Sequence, residues 1–182
     1  MKIVELIALI KMDIIRLSSS ALDQEGLRHP QWSKFFSPRF TPVLLVRLAR
    51  YFYLHRWLRI FSPVLTWLNV VIFGIEVTTR CHIGGGLMLP HTVGTVIGST
   101  KIGNNVTIFQ GVTLGAKYAD LTFDVSQRPT VGDDVMIGAG AKVLGGIHLG
   151  DSSTVAANSL VLDSLPDGSL AIGVPAKIKL KI

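Results

Sequence analysis

Cysteine is nearly absent: Cys81 is the only one in 182 residues. That excludes a disulfide framework and a cysteine-built metal site within the chain, and a reducing cytoplasm is the expected compartment. A lone thiol could be a nucleophile, but cysteine is among the most often buried residue types, so Cys81 is expected to be packed. Charge is also sparse, at 16% of residues, and the mean hydropathy is positive. Both point to buried subunit interfaces or a membrane contact. Acidic residues are scarcest at the N-terminal end. Residues 1–74 hold ten Lys/Arg against four Asp/Glu, whereas residues 75–182 hold eight of each, so the whole excess of +6 lies in the first part. Such a segment fits an anionic membrane surface, or simply the solvated faces of short helices.

A long unbroken apolar run is missing too. The best candidate, "WLRIFSPVLTWLNVVIFGI" (Trp57 to Ile75), is interrupted by Arg59 and Pro63. A helix packed on a neighbour, or one lying in the membrane interface, suits it better than a span. The opening "MKIVELIALIKMDIIRL" carries acidic and basic residues inside its apolar run and no small-residue cleavage site, so it is expected to be a helix and not a leader. No P-loop or dinucleotide fingerprint occurs, and "GGG" at 84–86 lacks a strand-to-helix context. No nucleic-acid partner is expected.

What is present is glycine and a six-residue rhythm. Val131, Ile137, Val143, Leu149, Val155 and Val161 form an unbroken series; Val96, Ile102, Ile108 and Leu114 keep the same step, as do Val77, Ile83 and Leu89, with one extra residue between Leu89 and Val96. A period of six is neither helical nor simple alternation. It suits a solenoid of short strands whose aliphatic residues point inward and whose coils bury their cores by stacking. Gly103, Asn104, Asn105, Gly132, Asp133, Gly150 and Asp151 fall at the expected corners. Residues 1–74 read as helices, over "KIVELIALIKMDIIRL" and "FTPVLLVRLARYFYLHRWLRIF", separated by a polar, proline-containing loop at 18–41.

The repeat, the closing "AIGVPAKI", and the stretches "IEVTTRCHIGGGLMLPHTVG", "VTIFQGVTLG" and "VMIGAGAKVLGGIHLG" resemble the hexapeptide-repeat acyltransferases. Within that family the resemblance is to the serine acetyltransferase branch and its sugar O-acetyltransferase relatives. It implies a mainly β fold: a left-handed parallel β-helix over residues 75–176, after a short helical region at 1–74. A loop protrudes at 117–129, and a tail occupies 177–182. It also implies an acetyl-CoA-dependent O-acetyltransferase that works as a homotrimer without a metal. The zinc enzymes built on such coils need closely spaced histidines, and no H-x-x-x-x-H pair occurs among the five here.

Direct acetyl transfer to a hydroxyl needs a base for the proton, a donor for the oxyanion and a groove for the cofactor. Histidine titrates near neutral pH, and a carboxylate on its far nitrogen fixes the tautomer. The resemblance places His91, in "LPHTVG", as the base and Glu76, in "IEVTT", as its partner, where the family usually has aspartate. It places Gly115, Ala139, Gly140, Lys142, Ala157 and Lys177 along the coenzyme A groove. His29, His55, His82 and His148 are expected at surfaces or corners. Pro90 stands where serine acetyltransferases carry an aspartate. Gln127 and Arg128 stand in place of an Arg-His pair before Pro129. These three positions bind the acceptor in the family. The departures favour a sugar hydroxyl in polysaccharide or glycan synthesis as acceptor, with L-serine as the alternative; a non-catalytic scaffold or a zinc enzyme are the readings from other classes. The cytoplasm is the expected location, and the basic N-terminal region is the part that would meet the inner face of the membrane.

Overall fold

The computed structural model describes residues 1–25, 37–120 and 122–180. Beyond residue 74 the chain winds as a three-sided, left-handed parallel β-helix. The first side stacks β1 (Ile75–Val77), β3 (Thr95–Ile97), β6 (Thr113–Gly115), β9 (Lys142–Leu144) and β12 (Leu160–Val161). The second stacks β2 (His82–Ile83), β4 (Lys101–Ile102), β7 (Thr130–Val131) and β10 (His148–Leu149). The third stacks β5 (Thr107–Ile108), β8 (Met136–Ile137), β11 (Thr154–Val155), β13 (Ser169–Gly173) and β14 (Ala176–Leu180).

Each side carries one buried aliphatic ladder. Val77, Ile97, Leu114, Val143 and Val161 are register partners up the first side, and Ile83, Ile102, Val131 and Leu149 up the second. On the third side Ile108, Ile137, Val155 and Ala171 align above Leu89. Every rung is buried, and burying one such side chain is worth about 1.5–3 kcal/mol. At the corner between the second and third sides, side-chain oxygens cap the backbone of the coil beneath. Gly85, Asn104, Asp133 and Asp151 donate their N–H groups in turn to Asn104, Asp133, Asp151 and Asp167 at 2.7–3.0 Å.

The structure corrects three expectations. Val96 is not the inward residue of its strand; its neighbour Ile97 is, at 1% exposure. The inward step from Leu89 is therefore eight residues, not seven, and the next, to Ile102, is five. The loop expected at 18–41 is helical up to residue 25, because α1 runs Ile3–Glu25; residues 26–36 lie outside the described ones. The stretch 177–180, read as tail, is strand: β14 folds back antiparallel on β13 and extends the third side at the end of the coil.

The other end is closed by α1 and α2 (Thr41–Leu54). Their anchor is a buried ion pair. Arg47 donates to both carboxylate oxygens of Asp13 at 2.9 Å and to the carbonyls of Ile83 and Gly84 at 2.6 and 2.5 Å. Asp13 in turn accepts the Leu87 N–H at 2.9 Å. Arg16 adds bonds to the Gly86 carbonyl and the Thr107 hydroxyl. Charges cut off from water must be paired and saturated with hydrogen bonds, and this set locks the helices to the first coil. The third helix, α3 (Ser62–Phe73), starts with Pro63 in its first turn and ends at Gly74 in left-handed geometry, φ 63°. A Cβ there would meet the Val93 backbone at 3.3 Å, so helix end and first strand are joined at a point that favours glycine.

Candidate functional site

The histidine expected as base sits where the coil slips. Between Met88 and Val96 the first coil has eight steps, while the register partners in the coil above, Thr107 and Thr113, are six apart. The two extra residues loop out of the corner between the third and first sides. Leu89 stays buried at 1%, whereas Pro90 is half-buried and His91 exposed. Thr92 turns back in and its hydroxyl donates to the Phe73 carbonyl at 2.7 Å. Gly94 (φ 75°) bonds from its N–H to the Gly74 carbonyl at 2.9 Å. His91 is thus held out at the corner by anchored residues on both sides.

Glu76 is exposed on β1, one coil below, with Val96 as its register partner. It lies on the outward face of the first side, the side that His91's loop enters. No hydrogen bond or ion pair joins the two among the described residues, so any coupling between them would require a side-chain rotation or substrate. Glu76 also borders a groove of about 500 Å³ walled by Tyr53, Arg59, Pro63, Trp67 and Val70.

Above His91 the same corner is a column of small residues: Gly94, then Gly111, then Ala139 and Gly140, then Ala157 and Asn158. Gly140 donates to the Gln110 carbonyl and Asn158 to the Ala139 carbonyl, both at 2.8 Å. Lys142 leaves β9 beside this column and its Nζ donates to the Gly111 carbonyl. Four of the expected groove residues (Ala139, Gly140, Lys142, Ala157) therefore lie in line with His91. Gly115 does not: it ends β6 at the far edge of the first side, where the protruding loop departs. Lys177 is exposed on β14, in the closing hairpin.

The loop is organised by Arg128. Its Nε and Nη2 donate to one oxygen of Asp120 at 3.2 and 2.8 Å, Nη1 donates to the Gly98 carbonyl at 3.1 Å, and its guanidinium lies 4.0 Å from the Phe123 ring centroid. Burial pushes the Asp120 carboxyl up, but hydrogen bonds from Thr122, Arg128 and the backbone outweigh it and hold the group at about 2. Gln127 is exposed in the preceding 3₁₀ turn. Sequence reading missed Asp120 and Phe123. The signal was available: an acidic residue and an aromatic within eight residues of an arginine, in a stretch that leaves the repeat.

Of the other histidines, His82 and His148 point outward and His55 is half-buried; His29 lies outside the described residues. No group of three metal-ligating side chains forms among the described residues. Cys81 is buried, and burial pushes its thiol up to about 12 although Arg50 and Arg47 pull the other way, so it is no nucleophile near neutral pH. No helix among the described residues is long and apolar enough to cross a membrane.

A stacked parallel coil with a histidine at a slipped corner is the architecture of a hexapeptide-repeat transferase, and the family model "Bacterial transferase hexapeptide (six repeats)" matches residues 128–163. The serine acetyltransferase of Helicobacter pylori strain J99 is 43% identical over 141 residues, 77% of this chain and 80% of the relative. Among solved structures, the Neisseria gonorrhoeae serine acetyltransferase superposes with a TM-score of 0.81 at 26% identity, covering 96% of this chain and 65% of its own. A serine acetyltransferase solved in complex with CoA gives 0.80 at 32% identity, covering 96% and 70%. The chain belongs to the serine acetyltransferase family and is an acetyltransferase. These relatives overturn the expected sugar acceptor: Pro90, Gln127 and Arg128 depart from the serine acetyltransferase pattern, yet the overall likeness runs to serine enzymes.

Proposed function

We propose that this protein is a serine O-acetyltransferase, transferring the acetyl group of acetyl-CoA to the side-chain hydroxyl of L-serine, the step that prepares serine for cysteine synthesis. The observation that carries the proposal is His91, exposed at the slipped corner at the foot of a column of small residues. His91 takes the proton from the serine hydroxyl as its oxygen attacks the thioester carbonyl carbon. The tetrahedral oxyanion then collapses, the C–S bond breaks, and the CoA thiolate leaves and is protonated; the products are O-acetylserine and CoA. Glu76 supports the imidazolium, reaching one methylene further than an aspartate would.

The column from Gly94 to Ala157 suits the pantetheine arm, because without large side chains the arm reaches backbone N–H and C=O groups. Lys142 and Lys177 supply positive charge for the phosphates, and a backbone N–H near Gly115 of a neighbouring subunit serves the oxyanion in this scheme. The loop at 117–129 leaves the coil at a different corner from His91. A complete site therefore combines the histidine corner of one subunit with the loop of a neighbour in a trimer. In that loop Arg128 is engaged by Asp120, which leaves exposed Gln127 and half-buried Pro90 to meet the acceptor.

The test is CoA thiol release with L-serine, for the wild type and for His91→Ala. A positioned general base contributes about 10²–10⁴-fold, so kcat should fall by that much while the unfolding midpoint stays put. Full activity of the variant would remove His91 from the mechanism, and a wild type that ignores L-serine would remove the acceptor.

A further inference from the structure

Helix α3 is built inside out. Its two fully buried side chains are polar: Ser62, 2% exposed, donates to the Ala49 carbonyl at 2.8 Å, and Asn69, also 2% exposed, donates to the Pro42 carbonyl at 3.1 Å, while Leu65, Leu68 and Phe73 are half-buried. The opposite face is apolar and open. Val64, Trp67 and Val71 are exposed at 52%, 61% and 59%, and on the turn leading into the helix Trp57 and Ile60 stand out at 85% and 73%. These five positions follow steps of three and four, the spacing of one helical face. A helix that only covered a core would place these residues the other way round.

The charged side chains on the turn leading into the helix are basic, and one carboxylate, Glu76, borders the groove that Arg59 and Trp67 wall. Arg56 and Arg59 are exposed on the same turn as Trp57 and Ile60. Arg59 lies 4.5 Å over the Tyr53 ring, its Nε donating to the Tyr53 carbonyl at 3.0 Å. A second copy meeting this turn with its own across a two-fold axis would set arginine against arginine. Exposed tryptophans within an aliphatic patch, with arginines at one end of it, instead match the boundary between acyl chains and anionic headgroups.

We infer that the face formed by Trp57, Ile60, Val64, Trp67 and Val71 docks on an anionic lipid surface, with α3 lying in the plane of the interface and Arg56 and Arg59 on the headgroups. The helix spans only twelve residues, which suits lying on a bilayer and not crossing it. The inference does not rest on the acceptor or on the catalytic reading.

Flotation of the full chain with vesicles tests it, without substrate. Vesicles of phosphatidylcholine containing phosphatidylglycerol should carry the protein upward at low salt, with a blue shift of tryptophan emission. Vesicles of phosphatidylcholine alone, or high salt, should carry much less. Combined Trp57→Ser, Trp67→Ser and Val71→Ser should lower partitioning by about tenfold or more, with an unchanged circular dichroism spectrum and unfolding midpoint. Arg56→Glu with Arg59→Glu, on a chain whose apolar face is intact, should abolish the preference for anionic vesicles. The inference is overturned if the wild type stays with the soluble fraction at low salt, or if the triple variant floats as well as the wild type. It is equally overturned if light scattering shows the triple variant splitting a wild-type oligomer while neither protein binds vesicles, since the face would then belong to a second copy.

Discussion

The coil and the helices are held by different kinds of buried contact. In the coil, aliphatic rungs go in at close to every sixth residue. The helices add Val43 and Val46 to that core, but buried polar contacts (Asp13 with Arg47, then Ser62 and Asn69) tie them down, while α3 presents Val64, Trp67 and Val71 to the outside. The difference teaches where each region draws its stability. A coil is a sum of like rungs, each supported by the two beside it. The helices are pinned at a few buried polar points, and one lost partner leaves an uncompensated group.

The largest expected effect comes from breaking the buried pair. Asp13→Ala strands the Arg47 guanidinium at 3% exposure and should cost about 3–5 kcal/mol in urea unfolding. Combined Asp13→Leu with Arg47→Met, which removes both charges, should recover much of that loss. If the double variant is no better than the single one, the pair does more than compensate its own burial. In the coil, Ile137→Ala removes one rung between Ile108 and Val155 and should cost about 2–5 kcal/mol. Its loss should depend on how far neighbouring coils settle, with no partner change able to rescue it. Smaller again is Arg128→Lys. A lysine cannot fork onto Asp120, reach the Gly98 carbonyl and stack on Phe123 together. Limited proteolysis should then cut within 116–128 faster than in the wild type, and KM for the acceptor should rise with little change in the unfolding midpoint. Unchanged proteolysis and KM would mean that the loop holds its shape without the arginine.

The same contrast explains what could be read from the residues alone. The three aliphatic ladders hold thirteen rungs from Val77 to Val161, and the sequence rhythm picks out all but Ile97. The miss is physical: the bulge at His91 shifts the strand by a residue, and Val96 and Ile97 are equally apolar, so only the ladder partners Val77 and Leu114 decide between them. The candidate base is legible through the family resemblance of "LPHTVG", which falls beside the one extra residue in the repeat. The Arg128–Asp120 anchor was not, because a loop outside the repeat has no period to measure against. Nor was the orientation of α3. Apolar residues occur all round that helix, and the inward side is chosen by two hydrogen bonds to carbonyls of α2 that no hydropathy pattern encodes. The acceptor misled for a related reason: Pro90 and Arg128 depart from the family at single positions, and single departures weigh less than likeness over 141 residues.

The smallest effect concerns Cys81, which lies where the two regions meet. Its thiol is 1% exposed, beside a small cavity that Val46, Ala49 and Arg50 of the helices share with Val77 and Thr78 of the first coil. Burial holds it at about 12, well above the ordinary value of 9.0. The sign follows from which state keeps the proton. Between pH 9 and 12 the folded thiol stays protonated while the unfolded one ionises, so the unfolded state binds fewer protons and stability falls as pH rises through that window. Below pH 9 the thiol contributes no slope. Cys81→Ala, compared with the wild type by urea unfolding along a pH series, should flatten the alkaline fall. A thiol reagent at pH 8 should leave native Cys81 unmodified and label it only as the chain unfolds. Rapid labelling of the folded chain at pH 8 would mean that the seam between helices and coil opens far more readily than the Asp13–Arg47 lock allows.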